Sequence, residues 1–299
     1  MRVSAIVPIL LSLGALVLSF LCLFAGSKTS FLPGYPVITL NVSEFGQNSL
    51  NSTLSKTDPA LATLLNSLPD SAQSELQDAV NTVARKLGMH DFYTANVLNY
   101  CEGYYTPGPV PNATLKTSDI HKKFTNCSAA TAMFQFDPKK IIQTEIDNSG
   151  HSDINITSLE WPSDIDTGLR ALHAAQKAMF ILYCVGLALT AVAAIFSIIS
   201  FCLSGRLSAF INVLIAILAF AAIGIASAIV TVLAVHGSRL INKYGNDIGL
   251  SASPGKKFLA LTWAATAAMI ICAFWWCVDC CVGRRSHKYT SARYAEKPY

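Results

Sequence analysis

Four stretches of the chain run without a single charged side chain: residues 3–27, 178–203, 207–235 and 258–278. Each exceeds the ~20 residues that a helix needs to cross a hydrocarbon layer of about 30 Å. A soluble core helix rarely stays apolar around its whole circumference for that long. Lipid offers no partner to a backbone amide, so these runs are expected to close their hydrogen bonds internally, as helices. The pattern predicts a membrane α-helical protein with one span near the amino terminus and three closely spaced ones near the carboxyl terminus. A competing reading keeps three spans and treats the first run as a signal peptide, since Leu23-Phe24-Ala25-Gly26-Ser27 puts small residues near a possible cut. The chain then divides into a first span at 1–27, a large polar loop at 28–177, a second span at 178–203 and a turn at 204–206. A third span at 207–235, a short loop at 236–257, a fourth span at 258–278 and a basic tail at 279–299 complete it.

Inside the large loop the periodicity changes. Pro33-Gly34-Tyr35-Pro36 forces turns, and residues 37–40 can pair as a strand. Leu61, Leu64, Leu65 and Leu68, then Leu76, Val80, Val83 and Leu87, recur at helical spacing. Pro69 divides them into two helices, with Asp70 and Ser71 as caps. Residues 92–105 are rich in aromatic and turn-forming types, and Pro107, Pro109 and Pro111 prevent a continuous helix after them. A mixed α/β module of its own is the expectation.

Composition agrees: 52% of residues are hydrophobic, 13% are charged, and the mean hydropathy is +0.43. Five N-x-Ser/Thr sequons begin at Asn41, Asn51, Asn112, Asn126 and Asn155, all within the large loop. That segregation places the loop outside the cell or in the lumen as a glycosylated segment. Asn126 is the weakest acceptor, because its sequon contains Cys127. Charge supports the same orientation, with Arg2, Arg206, Arg284, Arg285, Lys288, Arg293 and Lys297 on the inner side. Arg239, Lys243, Lys256 and Lys257 in the short loop count against it, so the sequons decide. The large loop holds 15 acidic and 11 basic residues, a net charge of −4 that makes nucleic acid an improbable partner.

Nine cysteines fall into two groups. Cys101 and Cys127 lie in the polar loop, and the other seven lie in or beside the apolar runs. A Cys101–Cys127 disulfide is expected in an exported loop. Closing a loop of this length is worth roughly 3 kcal/mol in chain entropy. A redox role does not fit, since the spacing is not C-x-x-C. Cys277, Cys280 and Cys281 sit beside the last span and are candidate S-palmitoylation sites. No second Cys/His pair stands near them at zinc spacing, so no metal is expected there. Gly186, Ala188, Ala191, Ala193 and Ala194, with Ala219, Ala222, Gly224, Ala226 and Ala228, permit close helix approach within one bundle or in a homo-oligomer. Asn212 is the one amide in the runs and is expected to bond a neighbouring helix.

Catalytic signatures are missing. Gly255-Lys256-Lys257 lacks the glycine spacing of a phosphate loop. His121, His151 and His173 stand without a nucleophile partner. The run from Asp147 to Asp153 resembles a calcium loop, but Ser158 occupies the place of its bidentate glutamate. The expectation is a protein without enzymatic activity, cofactor or metal.

One motif carries a family resemblance. Phe92-Tyr93-Thr94, then Leu98-Asn99-Tyr100-Cys101-Glu102-Gly103-Tyr104, followed by Asn126-Cys127-Ser128, resembles the fungal SUR-seven/PalI group of claudin-like four-span proteins. The likeness extends over the whole arrangement of spans, large loop and tail. Animal claudins carry a tryptophan before the cysteine pair, where this chain has Val97 and Leu98, a departure that argues against tight-junction pairing of the animal type. The resemblance implies a claudin-like four-transmembrane-helix bundle with a disulfide-stapled extracellular loop. It further implies a plasma-membrane protein of eisosome-associated cortical domains, acting in membrane compartmentation, endocytosis, cell wall integrity and stress response. Its partners would be membrane lipids and other cortical membrane proteins. The alternatives are a PalI-like component of ambient-pH signalling, which the short tail disfavours, and a regulator of calcium influx, which the lack of intramembrane charge disfavours.

Overall fold

The computed structural model describes residues 5–43, 88–108, 119–150, 163–202, 206–246 and 249–295. The two helices expected between residues 58 and 87 lie outside them, as do Asn51, Asn112 and Asn155. In chain order the elements are α1 (Ile6–Phe24), β1 (Ile38–Asn41), β2 (Phe92–Ala95), β3 (Tyr100–Thr106), β4 (His121–Cys127) and α2 (Pro138–Asn148). There follow α3 (Ser163–Cys202), α4 (Arg206–Gly245), β5 (Ser251–Pro254) and α5 (Lys256–Ala295). They form two compact units, one of Met1–Leu23, Ala178–Ile229 and Phe258–Tyr299, the other of Phe24–Lys177 and Val230–Lys257.

The first unit is built inside out relative to a soluble bundle. Among the described residues, four helices are long and apolar enough to cross a membrane: Ile6–Phe24, Arg170–Phe201, Leu207–Gly245 and Lys256–Cys281. Small and weakly polar side chains face inward. Ser12, Ala15 and Ser19 of α1 are buried, as are Ala193 and Ala194 of α3, Ala219, Ala222 and Ala226 of α4, and Ala265 of α5. Bulky aliphatic and aromatic groups such as Leu10, Val17, Ile195, Ile225 and Phe274 point outward, as suits a hydrocarbon solvent. Gly186 permits the closest approach, since a Cβ there would stand 2.7 Å from Ile223 Cγ1. The Tyr183 hydroxyl meets Thr262 Oγ1 at 2.6 Å, and Ser227 Oγ lies 2.6 Å from Thr262 Oγ1 and 2.9 Å from Thr266 Oγ1. Asn212 Nδ2 donates to Ser200 Oγ on α3 and to Ser208 O on its own helix, so the amide joins neighbouring helices as expected. Ala188 and Ala228 are exposed and take no part in this core.

The second unit is organised by a five-stranded antiparallel sheet in the order β4-β3-β2-β1-β5. Helix α2 lays Ile141, Ile142 and Ile146 into a core with Ile38, Leu40, Met89, Tyr93, Ala95, Phe136 and Ala252. Asp137 caps α2, its side chain accepting from Lys140 N, and Pro138 occupies the first turn where no amide partner is needed. Two departures from the sequence pattern matter. Helices α3 and α4 extend well beyond the uncharged runs, because Arg170-Ala171-Leu172 and Arg239-Leu240-Ile241 are good helix formers despite their charge. The segment between the third and fourth spans is not merely a loop, since β5 within it pairs with β1, Ala252 opposite Leu40.

Candidate functional site

Strand alternation sorts the motif residues onto two faces. Tyr93 of β2 stands opposite Glu102 of β3, and Ala95 opposite Tyr100. These four share the face that meets α2, while Cys101 and Gly103 point to the other. Cys101 pairs with Cys127 across β3 and β4, in the expected disulfide. A β-bulge between Glu102 and Gly103 brings the β4 backbone unusually close. A Cβ on Gly103 would stand 2.1 Å from Lys123 O, which explains the glycine. Asn99 is buried and donates through Nδ2 to Ser128 O at 3.0 Å, and Thr131 N donates to Leu98 O at 2.8 Å. The motif therefore fixes the turn before β3 and the return of the chain after β4.

Glu102 has a different part. It is 6% exposed, and Asn126, opposite it on β4, donates through Nδ2 to its Oε1 at 3.1 Å. Its other oxygen, Oε2, faces His90 Nδ1 at 4.0 Å, and Glu145 Oε2 from α2 lies 3.5 Å from the same nitrogen. Both His90 Nδ1 and Glu102 Oε2 are buried without a hydrogen-bond partner. One ligand atom from each of the three residues lies within 4.8 Å of the other two. The surroundings hold this cluster still: the Tyr104 ring lies 4.8 Å from the imidazole, and His90 N donates to the Tyr93 hydroxyl at 3.2 Å. Burial raises the Glu102 carboxyl above its ordinary value, opposed by nearby His90 and reinforced by Glu145. Burial also pushes up the Tyr93 and Tyr100 phenols, and the charges of Glu102 and Glu145 add to it.

The opposite face carries Phe92, which touches Tyr105 and Phe124 at centroid distances of 5.0 and 5.2 Å. Lys122 is exposed as a residue, yet its amine lies 5.5 Å from the Phe92 ring and donates to Thr39 Oγ1 at 2.8 Å. Burial of that amine, with the charge of Lys257 second, lowers its pKa to about 8.

The remaining residues singled out by sequence are dispersed. Asn126 is exposed on β4, whereas Asn41 is half-buried on β1 and its Oδ1 accepts from the Ser43 hydroxyl at 2.8 Å. A glycan on Asn126 would bond to the same Nδ2 that holds Glu102, leaving one N–H for the carboxylate. Cys277 and Cys281 are exposed and Cys280 half-buried on α5. His121 lies exposed on β4, His173 Nε2 sits 3.4 Å from Phe136 O, and Asp147 near the end of α2 accepts from Gln143. Sequence spacing found no metal-ligating set, and the structure brings together His90, Glu102 and Glu145. Glu102 stood in the family motif without that role, and His90 and Glu145 lie elsewhere in the chain at no fixed interval, so spacing could not reveal the set.

The family model described as SUR7/PalI family matches residues 4–275. The chain is similar to the SUR7 family protein pun1 of Schizosaccharomyces pombe, with 28% identity over 158 residues. That alignment covers 52% of this chain and 49% of the relative, so the chain matches about half the relative's length. No solved structure matches.

Proposed function

Since the chain belongs to the SUR7/PalI family and carries four helices able to span a membrane, we propose that it is a non-enzymatic organiser of plasma-membrane domains. The observation that carries this reading is the pairing of β5 with β1, which joins two inter-span segments into one disulfide-braced sheet. Such a sheet is a rigid, preformed surface for lateral assembly rather than a pair of loose loops. In this proposal the sheet unit faces outward as a glycosylated segment, the arrangement is claudin-like, and the basic tail lies in the cytosol. Acyl chains on Cys277, Cys280 and Cys281 would add apolar anchoring and favour ordered lipid. Partners are membrane lipids and other cortical membrane proteins, and the roles are those of eisosome-type domains in wall integrity, endocytosis and stress. Imaging of a fluorescently tagged chain in a fungal host tests the reading. Stable cortical patches that disperse on Gly255→Val are expected, because a Cβ there would stand 1.7 Å from Pro36 O and block the β5 approach. A diffuse wild-type signal, with an alkaline-growth defect on deletion, would instead support the pH-signalling alternative.

A further inference from the structure

The cluster on the α2-facing side of the sheet has an electrostatic problem that protein atoms do not solve. Two carboxylates and one imidazole converge, Glu102 is more than nine-tenths buried, and its Oε2 and His90 Nδ1 lack hydrogen-bond partners. Two carboxylates thus meet in a desolvated place, an arrangement that buried carboxylates adopt only when paired or bound to metal. We propose that His90, Glu102 and Glu145 bind one divalent cation of the zinc class and so tie α2 to the sheet.

Three features fit that ion. An imidazole nitrogen beside carboxylate oxygens suits zinc, whereas calcium and magnesium favour oxygen alone. Ligand atoms around a tetrahedral zinc lie roughly 3.3 Å apart, so closing the observed gaps asks for shifts of about 1 Å in side chains. A fourth position is left for water. The supporting contacts also have the form expected around a metal: Asn126 holds the far oxygen of Glu102, and the Tyr104 ring restrains the imidazole. The three ligands come from the turn before β2, from β3 and from α2, so a bound ion would cross-link segments far apart in sequence. Metal bound to the folded chain stabilises it by mass action.

The test uses the full chain purified in lipid nanodiscs, in a background with Cys277, Cys280 and Cys281 changed to serine so that thiolates cannot take up the metal. After chelator treatment, zinc is titrated calorimetrically and thermal unfolding is followed. The expected result is one saturable site and a raised melting temperature. Glu102→Gln and Glu145→Gln should each weaken binding by about 100-fold or more, and Asn126→Ala by about 10-fold. Cobalt as a probe should give ligand-field absorption that disappears in the same variants. In chelator neither glutamine variant should melt below the parent, which separates lost binding from lost folding. Zinc uptake that is unchanged in both glutamine variants overturns the proposal. So does a parent that takes up neither zinc nor cobalt at a saturable site.

Discussion

Glu102 shows how one residue can serve a motif in two ways. Its backbone belongs to β3, next to the disulfide and the bulge, while its side chain is withdrawn from water against α2. The pH consequence follows from the direction of its shift. The folded protein holds the Glu102 proton above the ordinary value of 4.5, at pH values where the unfolded chain has lost it. Stability from this group is therefore complete below that value and declines as pH rises through the folded one. Glu102→Gln removes the ionisation while keeping an oxygen for Asn126. In metal-free protein the variant should be more stable than the parent at neutral pH, with the difference closing as pH falls below 4.5. Paired melting curves across that range check it, and a parent more stable than the variant at pH 7 without metal would contradict the account. The local sequence places Glu102 in the motif but does not mark it as buried, because its burial depends on α2, which comes some forty residues later along the chain.

At the level of elements, the least legible feature is β5. Ser251-Ala252-Ser253-Pro254 has poor strand propensity and no alternating pattern. It forms because β1 offers an open edge and because α4 continues past its apolar run to bring Asn242 beside it. Asn242 Oδ1 accepts from Ala252 N and its Nδ2 donates to Ala252 O at 3.0 Å, so one amide satisfies both outward groups of an edge strand. Asn242→Ala should cost about 1–3 kcal/mol. Hydrogen exchange at Ala252 should accelerate, with the amides of β3 unchanged. Equal protection in variant and parent would mean that β1 alone holds the strand. The elements read well from sequence were those with local causes: the spans from uninterrupted hydropathy, β1 from the turn before it, the disulfide from two cysteines in one polar loop. Strands β2 and β3 were visible only as an aromatic stretch, and β4 was not read as a strand at all, since their pairing is set by long-range register. His90 and Glu145 were invisible for the same reason.

The whole molecule combines two stabilising strategies in one chain. The first unit packs small residues, close helices and a shared hydroxyl network around a few buried bulky groups such as Trp276 and Met269, with many other bulky groups turned outward. The second unit is held as a soluble domain is, by an apolar core between sheet and helix and by one covalent brace. Reduction should therefore act on one unit alone. The bridge spans 26 residues of sequence, and its loss is worth roughly 3 kcal/mol, about 100-fold in the opening equilibrium of the segments it joins. Hydrogen exchange in nanodiscs, with and without reductant, measures this directly. Amides of β2, β3 and β4 should lose protection, while those around Ala15, Ala219 and Ala265 keep theirs, because Cys22 and Cys272, the buried cysteines described in the bundle, are free thiols. Serine at both Cys101 and Cys127 should reproduce the pattern without reductant. If protection falls equally in both units, they unfold as one cooperative body, and the brace stabilises the entire protein rather than its sheet.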